Sequence, residues 1–235
     1  MSGQSYRQTD RQTDRQTVKS ALKEKYKNLR FEARDFLINR PNRKRLMNNS
    51  FSIIGSDCTA ACVCKDLKMR MNSPTRNFYF NAGDYIKFCK NLRYYLTLSL
   101  TDDPDNGKHP YLTAMCGVLR LFLVHYDSVQ QAKDAWERRK GRVNFDNIFF
   151  LMNDRNGCTE EDIKAFDGLP YKNKVCFTHV KYPQYKSTYF IPGSEDGEYV
   201  QSMMNYIQPW WIKRYYDNFD FVSWLNRKQE GLMKD

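Results

Sequence analysis

The stretch His125–Thr178, HYDSVQQAKDAWERRKGRVNFDNIFFLMNDRNGCTEEDIKAFDGLPYKNKVCFT, decides the fold. It reads as capped helix, buried strand, polar turn, second capped helix and second buried strand. Asp127 or Ser128 can cap the first helix, and Gln131 stands at capping-box spacing from Ser128. Val129, Ala132 and Trp136 follow at helical spacing, and Gly141 is expected to end the helix as a left-handed cap. Asn147 to Met152 is a nearly continuous apolar run, the mark of a strand buried on both faces. The run stops in Asn153-Asp154-Arg155-Asn156-Gly157, which is all polar or turn-forming. Thr159 caps a helix carrying Ile163 and Phe166, Gly168 closes it, and Val175 to Phe177 re-enters the sheet. Strand, helix, strand at this spacing implies a βαβ unit. Ligands in such sheets bind outside the carboxyl ends of strands, and Asp154 and Arg155 stand at one such end.

Working outward, Phe51 to Ile54 reads as a strand followed by Gly55-Ser56-Asp57-Cys58 and the small residues Ala60 and Ala61. A strand, a small-residue turn and a helix start can offer backbone amides to an anion, so Gly55, Ser56 and Asp57 are donor-binding candidates. A plain turn is the competing reading. Asn77 to Phe80 reads as a strand, and Asp84 as the cap of a helix carrying Tyr85, Phe88, Leu92 and Tyr95. Asp102-Asp103-Pro104-Asp105-Asn106-Gly107 has the acidity of a metal–nucleotide motif, but its Pro and Asn-Gly suit an ordinary turn. Gly117 to Val124 is a strand candidate ending at His125, which can act as acid or base or simply serve a backbone carbonyl. Lys186 to Ile191 reads as a strand, and Tyr215 to Trp224 as a closing aromatic helix.

The expected architecture is therefore α/β: three layers, a mostly parallel or mixed sheet flanked by helices, Rossmann-like, with a basic N-terminal extension. Its divisions are a disordered repeat arm at 1–17, a basic helical extension and link at 18–50, and an α/β domain at 51–235. The arm reads RQTD, RQTD, RQT and has nothing to build a core from. Tandem AGAC tetranucleotides would encode that repeat and would slip during replication, the pattern of a phase-variable gene.

The net charge of +11 would suit nucleic acid if it were spread over the body. It is concentrated in residues 1–50, which hold thirteen Lys/Arg against five Asp/Glu. The body shows no recognised nucleic-acid motif, so nucleic acid is not the expected partner. The basic segment can instead meet acidic lipid at the inner membrane face, or simply water. No apolar run approaches the roughly 20 residues of a membrane span, and no signal peptide opens the chain, so a cytoplasmic location is expected. The seven cysteines are odd in number and scattered, which suits free thiols better than disulfides or a zinc site.

Several phrases together resemble a bacterial family, domain of unknown function 1919, often described as exopolysaccharide biosynthesis proteins. They are FSIIGSDC, SPTRNFYF, GDYIKFCKNLRYYL, the long phrase from His125 to Thr178, and YYDNFDFVSWLN. The resemblance covers nearly all of residues 51–226 and implies an α/β fold and a place in surface-polysaccharide assembly. It carries over no catalytic residue. With the residues above it sets the expectation of a cytoplasmic transferase with a phosphorylated sugar donor and a glycan or lipid-linked acceptor. In that reading Arg155, Arg76 and Arg142 neutralise phosphate. Asp154 holds a sugar hydroxyl or a divalent metal, and His125 takes the acceptor proton. A non-catalytic accessory protein of a polysaccharide-assembly complex and a nucleic-acid binder working through the arm remain the alternatives.

Overall fold

The computed structural model describes residues 20–227. The repeat arm at 1–17 lies outside them, as do residues 18 and 19 of the basic extension.

The parallel sheet grows from the stretch that opened the sequence analysis. Strand β5 (Ile148–Asn153) is buried at all six positions. It lies between β1 (Ser52–Gly55) and β6 (Lys174–Thr178), and β7 (Thr188–Phe190) completes the order β1-β5-β6-β7. All three pairings are parallel, with Gly55 level with Leu151 and Asn153 level with Phe177. Side chains alternate across a strand, so β5 sends Phe150 and Met152 to one face and Phe149 and Leu151 to the other. Burying each large apolar side chain contributes about 1.5–3 kcal/mol, which fixes the register of this strand firmly.

Helices cover both faces. On the first lie α4 (Ala82–Lys90), α5 (Leu92–Thr97), α6 (Val129–Lys140) and α7 (Glu160–Asp167), with Tyr85, Phe88, Trp136 and Phe166 fully buried. The Trp136 indole N–H reaches the Leu98 carbonyl at 2.9 Å, so its burial leaves no orphaned donor. The second face carries α3 (Thr59–Asp66) and the C-terminal α8 (Phe221–Leu225). The result is the expected three-layer α/β fold.

Local capping follows the sequence closely. The Ser128 hydroxyl accepts from the Gln131 amide, while the Gln131 side chain accepts from the Asp127 amide. Thr159 and Asp162 form a full capping box, with Glu160 and Glu161 beside the positive helix end. Gly141 departs from expectation. Its φ is −75°, so α6 ends without a left-handed residue and finishes in Arg138, Arg139 and Lys140, which suit the negative end of a helix.

Three other readings are corrected. Asn77 to Phe80 is not a strand of the main sheet; Tyr79 makes only a single bridge, to Phe122. Gly117 to Val124 supplies β4 (Leu119–Phe122) of a separate antiparallel sheet with β2 (Thr101–Asp102) and β3 (Thr113–Cys116). A short apolar run is compatible with either sheet, and pairing partners decide between them. Asp84 is not a cap; the helix starts at Ala82, and the Asp84 carboxylate accepts from the Arg120 amide.

Before β1 in the chain, α1 spans residues 20–34 and passes through a π-helical turn (Asp35–Asn39) into α2 (Arg40–Arg45). It is held to the body by Arg34, which is buried against Asp66, Tyr216 and Asp217.

Gly55 ends β1 where α3 comes closest. A Cβ there would stand 2.9 Å from the Ala60 Cβ and 3.1 Å from the Asp57 carbonyl oxygen. Gly55→Ala is therefore expected to cost about 1–3 kcal/mol in a denaturant melt, since backbone and methyl must both give way. Unchanged stability would show that the turn relaxes freely.

Candidate functional site

Parallel register sets the carboxyl ends of β1, β5 and β6 side by side. They deliver Asp57, the run Asn153 to Arg155, and His179. The Ser56 amide bonds to the Leu151 carbonyl, and the Asp154 amide to the Phe177 carbonyl, so these residues extend the ladder just past the strands.

Asp154 is buried, and both of its carboxylate oxygens accept hydrogen bonds. Its Oδ1 accepts from the Val200 amide at 2.7 Å. Its Oδ2 accepts from the His179 amide at 2.7 Å and faces the His179 Nδ1 at 2.5 Å. An ionised carboxylate can only accept, so this contact places a proton on Nδ1, and in the neutral ring Nε2 then presents its lone pair. The ring is 18% exposed, which leaves Nε2 reachable from solvent. A buried carboxylate thus fixes the tautomer and orientation of a histidine at the mouth of a parallel sheet.

The neighbours hold this pair in place. Arg155 donates to the Val200 carbonyl at 2.7 Å and lies over the Tyr199 ring, so the two adjacent residues Asp154 and Arg155 clamp both sides of one peptide segment. Asn153 donates to Asp57 at 2.8 Å, and Asp57 accepts from the Thr59 amide at 2.8 Å. That last contact closes the first amide of α3 with a carboxylate. The turn at Gly55, Ser56 and Asp57 is therefore capped from within, and Gly55 serves close packing. Ser56 keeps a buried hydroxyl without a hydrogen-bond partner among the described residues.

Among the described residues, the thiols and the phenol that sense the Asp154 charge are not activated. Burial, then the charges of Asp162 and Asp154, push the Cys158 thiol up to about 12. Burial raises Cys176 further, with Cys158 and Asp154 adding to it, and burial likewise raises the Tyr182 phenol. These groups are neutral near pH 7, and the thiolate is the reactive form of cysteine. The arrangement suits proton transfer to or from an incoming hydroxyl.

The other sequence candidates lie elsewhere. Arg142 is exposed just beyond α6, two residues before Asn144, whose amide bonds to Ser52 at the amino end of β1. A six-residue strand spans about 20 Å, so Arg142 and Arg155 occupy opposite ends of the sheet. Arg76 is also exposed, and its carbonyl accepts from Arg139 and from the Tyr126 hydroxyl. Partial desolvation by its neighbours, and then the charges of Arg70, Arg139 and Arg138, lower the Arg142 guanidinium from its ordinary range. Arg142 thus belongs to a cluster with Arg70, Arg138 and Arg139, whereas Arg76 follows Thr75, whose hydroxyl accepts from the Gly55 amide at the carboxyl end of β1. His125 sits exposed on the turn beside Tyr126, at the end of the antiparallel sheet. The residue the sequence reading passed over is His179. It directly follows a buried strand, the same signal that singled out Asp154.

The acidic run at Asp102 to Gly107 is a turn held by cations. Arg120 grips Asp103 at 2.5 and 3.1 Å and Asp105 at 2.8 Å, while Lys133 pairs with Asp102. Among the described residues, no three His, Cys, Asp or Glu side chains are placed to hold a metal ion. The Arg120 hydrogen bond holds Asp103 down to about 2, against an ordinary 3.8. Because the folded value is depressed, this contact stabilises fully above 3.8 and is lost as pH falls through about 2. The stability difference between wild type and Asp103→Asn is expected to shrink across that window in acid titrations. A constant difference would show that Asp103 does not titrate with folding.

These features define an α/β protein with a carboxylate-oriented histidine at the carboxyl ends of its parallel strands. The chain belongs to the family described as Domain of unknown function (DUF1919), whose model matches residues 29–226. It is also 37% identical over 203 residues to a Haemophilus influenzae protein described as uncharacterized, covering 86% of this chain and 97% of the relative. Among the described residues, no helix is long and apolar enough to cross a membrane.

Proposed function

We propose that the protein is a transferase of bacterial surface-polysaccharide assembly that moves a group from a phosphorylated donor, such as a nucleotide sugar, to a hydroxyl acceptor. The observation that carries this reading is the Asp154–His179 pair. His179 Nε2 removes the proton of the acceptor hydroxyl as its oxygen bonds to the transferred carbon. The bond from that carbon to the donor phosphate breaks, and the phosphate departs with the electron pair. Asp154 stabilises the imidazolium that forms. Arg155 is the cation nearest in sequence to this pair and retains donors beyond its bond to Val200. The buried Ser56 hydroxyl is a second donor-side candidate.

The place in surface-glycan assembly rests on the resemblance of the sequence phrases to proteins described in that role. Tandem AGAC units behind the RQTD repeat would add slippage control of expression, and sequencing the tract tests that point. The biochemical test is a thermal-shift panel of nucleotide sugars and lipid-linked sugars on the full-length protein. A donor that raises the melting temperature, and loses that effect in Arg155→Met, supports the reading. A panel without any stabilising donor favours an accessory protein.

A further inference from the structure

One face of the molecule has no part in the site above. Residues 20–29 of α1 are exposed on nearly every side. Leu22, Tyr26 and Leu29 recur at helical spacing along one stripe, with Leu22 61% and Leu29 64% exposed. Such a stripe normally marks the buried side of a helix, yet its two leucines stand open to solvent. The helix instead touches the body through polar groups. Arg30 donates to the carbonyls of Gln208 and Trp211, and Tyr26 donates to that of Pro209. These bonds seat the 208–211 segment along the helix, and that segment carries Trp210, 74% exposed, and Trp211, also exposed. The π-helical turn prolongs the face with exposed Phe36 and Leu37, beside Arg40 and Lys44. Lys23 and Lys25 flank the stripe at helical spacing, Lys27 pairs with Glu24, and Lys213 lines a groove with Leu37.

We infer that this face, α1 together with the Trp210–Trp211 loop, docks on a bilayer containing anionic lipid. Three observations choose lipid over another occupant. Tryptophan is enriched at the bilayer interface, where its ring meets acyl chains and its N–H meets headgroups. An exposed apolar stripe bordered by lysines is the pattern of a helix lying in that interface. Lysines around the face complement a negative surface but would oppose one another across a symmetric pairing of two copies. The inference stands whatever reaction the strand ends carry out.

The test is flotation of the full-length protein with phosphatidylcholine vesicles, with and without phosphatidylglycerol. Trp136 and Trp224 are buried, so an emission shift on binding reports Trp210 and Trp211. Flotation with the anionic vesicles, a blue-shifted emission and weakening at high salt are expected. A Trp210→Ala, Trp211→Ala, Leu29→Glu variant should bind about tenfold more weakly or worse, with an unchanged melting temperature. Three results would overturn the inference. One is wild-type flotation by the variant. Another is binding that vanishes on deletion of residues 1–17 alone. The last is no vesicle binding together with a dimer that the same three substitutions dissolve.

Discussion

On the proposed transferase reading, His179→Asn is expected to abolish surface-glycan modification while leaving the protein folded. Loss of a positioned general base typically costs 10²–10⁴-fold in rate. Asparagine can still donate from its amide to Asp154, replacing the Nδ1 contact at 2.5 Å, so the buried carboxylate keeps a partner. What it lacks is a basic nitrogen where Nε2 stood. Donor binding in the thermal-shift panel should therefore persist as turnover disappears. Asp154→Asn should behave differently. An amide can present a donor to Nδ1 and favour the wrong tautomer, and its NH₂ group would also face the Val200 or His179 amide. That variant is expected to lose activity and several degrees of melting temperature together. A normal glycan profile in cells carrying His179→Asn would remove the histidine from the reaction.

The second large effect is structural. Arg34 is 1% exposed, and its guanidinium bonds to Asp66 at 2.7 Å, to both oxygens of Asp217, to the Tyr216 hydroxyl and to the Ile212 carbonyl. Burial works against its charge, but the Asp217 hydrogen bond and the surrounding charges outweigh this and raise its pKa. Arg34→Ala would leave Asp66 and Asp217 around a hole without their shared cation, keeping the Tyr216 hydroxyl and the Arg214 amide, and is expected to cost about 3–5 kcal/mol. For a domain of this size that is a fall of roughly 6–20 °C in melting temperature. Arg34→Lys keeps the charge but loses the planar fork, so an intermediate loss is expected. Calorimetry on the two variants checks the order. An Arg34→Ala protein as stable as wild type would mean that α1 contributes little to the fold.

The parallel-sheet core was readable in the sequence because its signals are local. Ile148 to Met152 is apolar at consecutive positions, which suits a strand enclosed on both faces, and the polar run after it can only be a turn. Ser128 and Thr159 announce helix starts because a cap bonds to an amide three residues away. The carboxyl-end position of Asp154 and Arg155 follows from that order of elements. Tertiary structure alone decided what these residues touch. His179 meets Asp154, and Val200 meets both Asp154 and Arg155, across separations that no periodicity encodes. The same holds for Arg120, which reads as an interruption in an apolar run and proves to be the cation of the acidic turn. Arg76 and Arg142 were grouped with Arg155 by chemistry, whereas sheet geometry sets Arg142 at the far end. Periodicity and capping are energies of neighbouring residues. Strand order, register and the course of long loops are settled by the packing of the whole chain, and a site assembled from three strand ends exists only once that packing is complete.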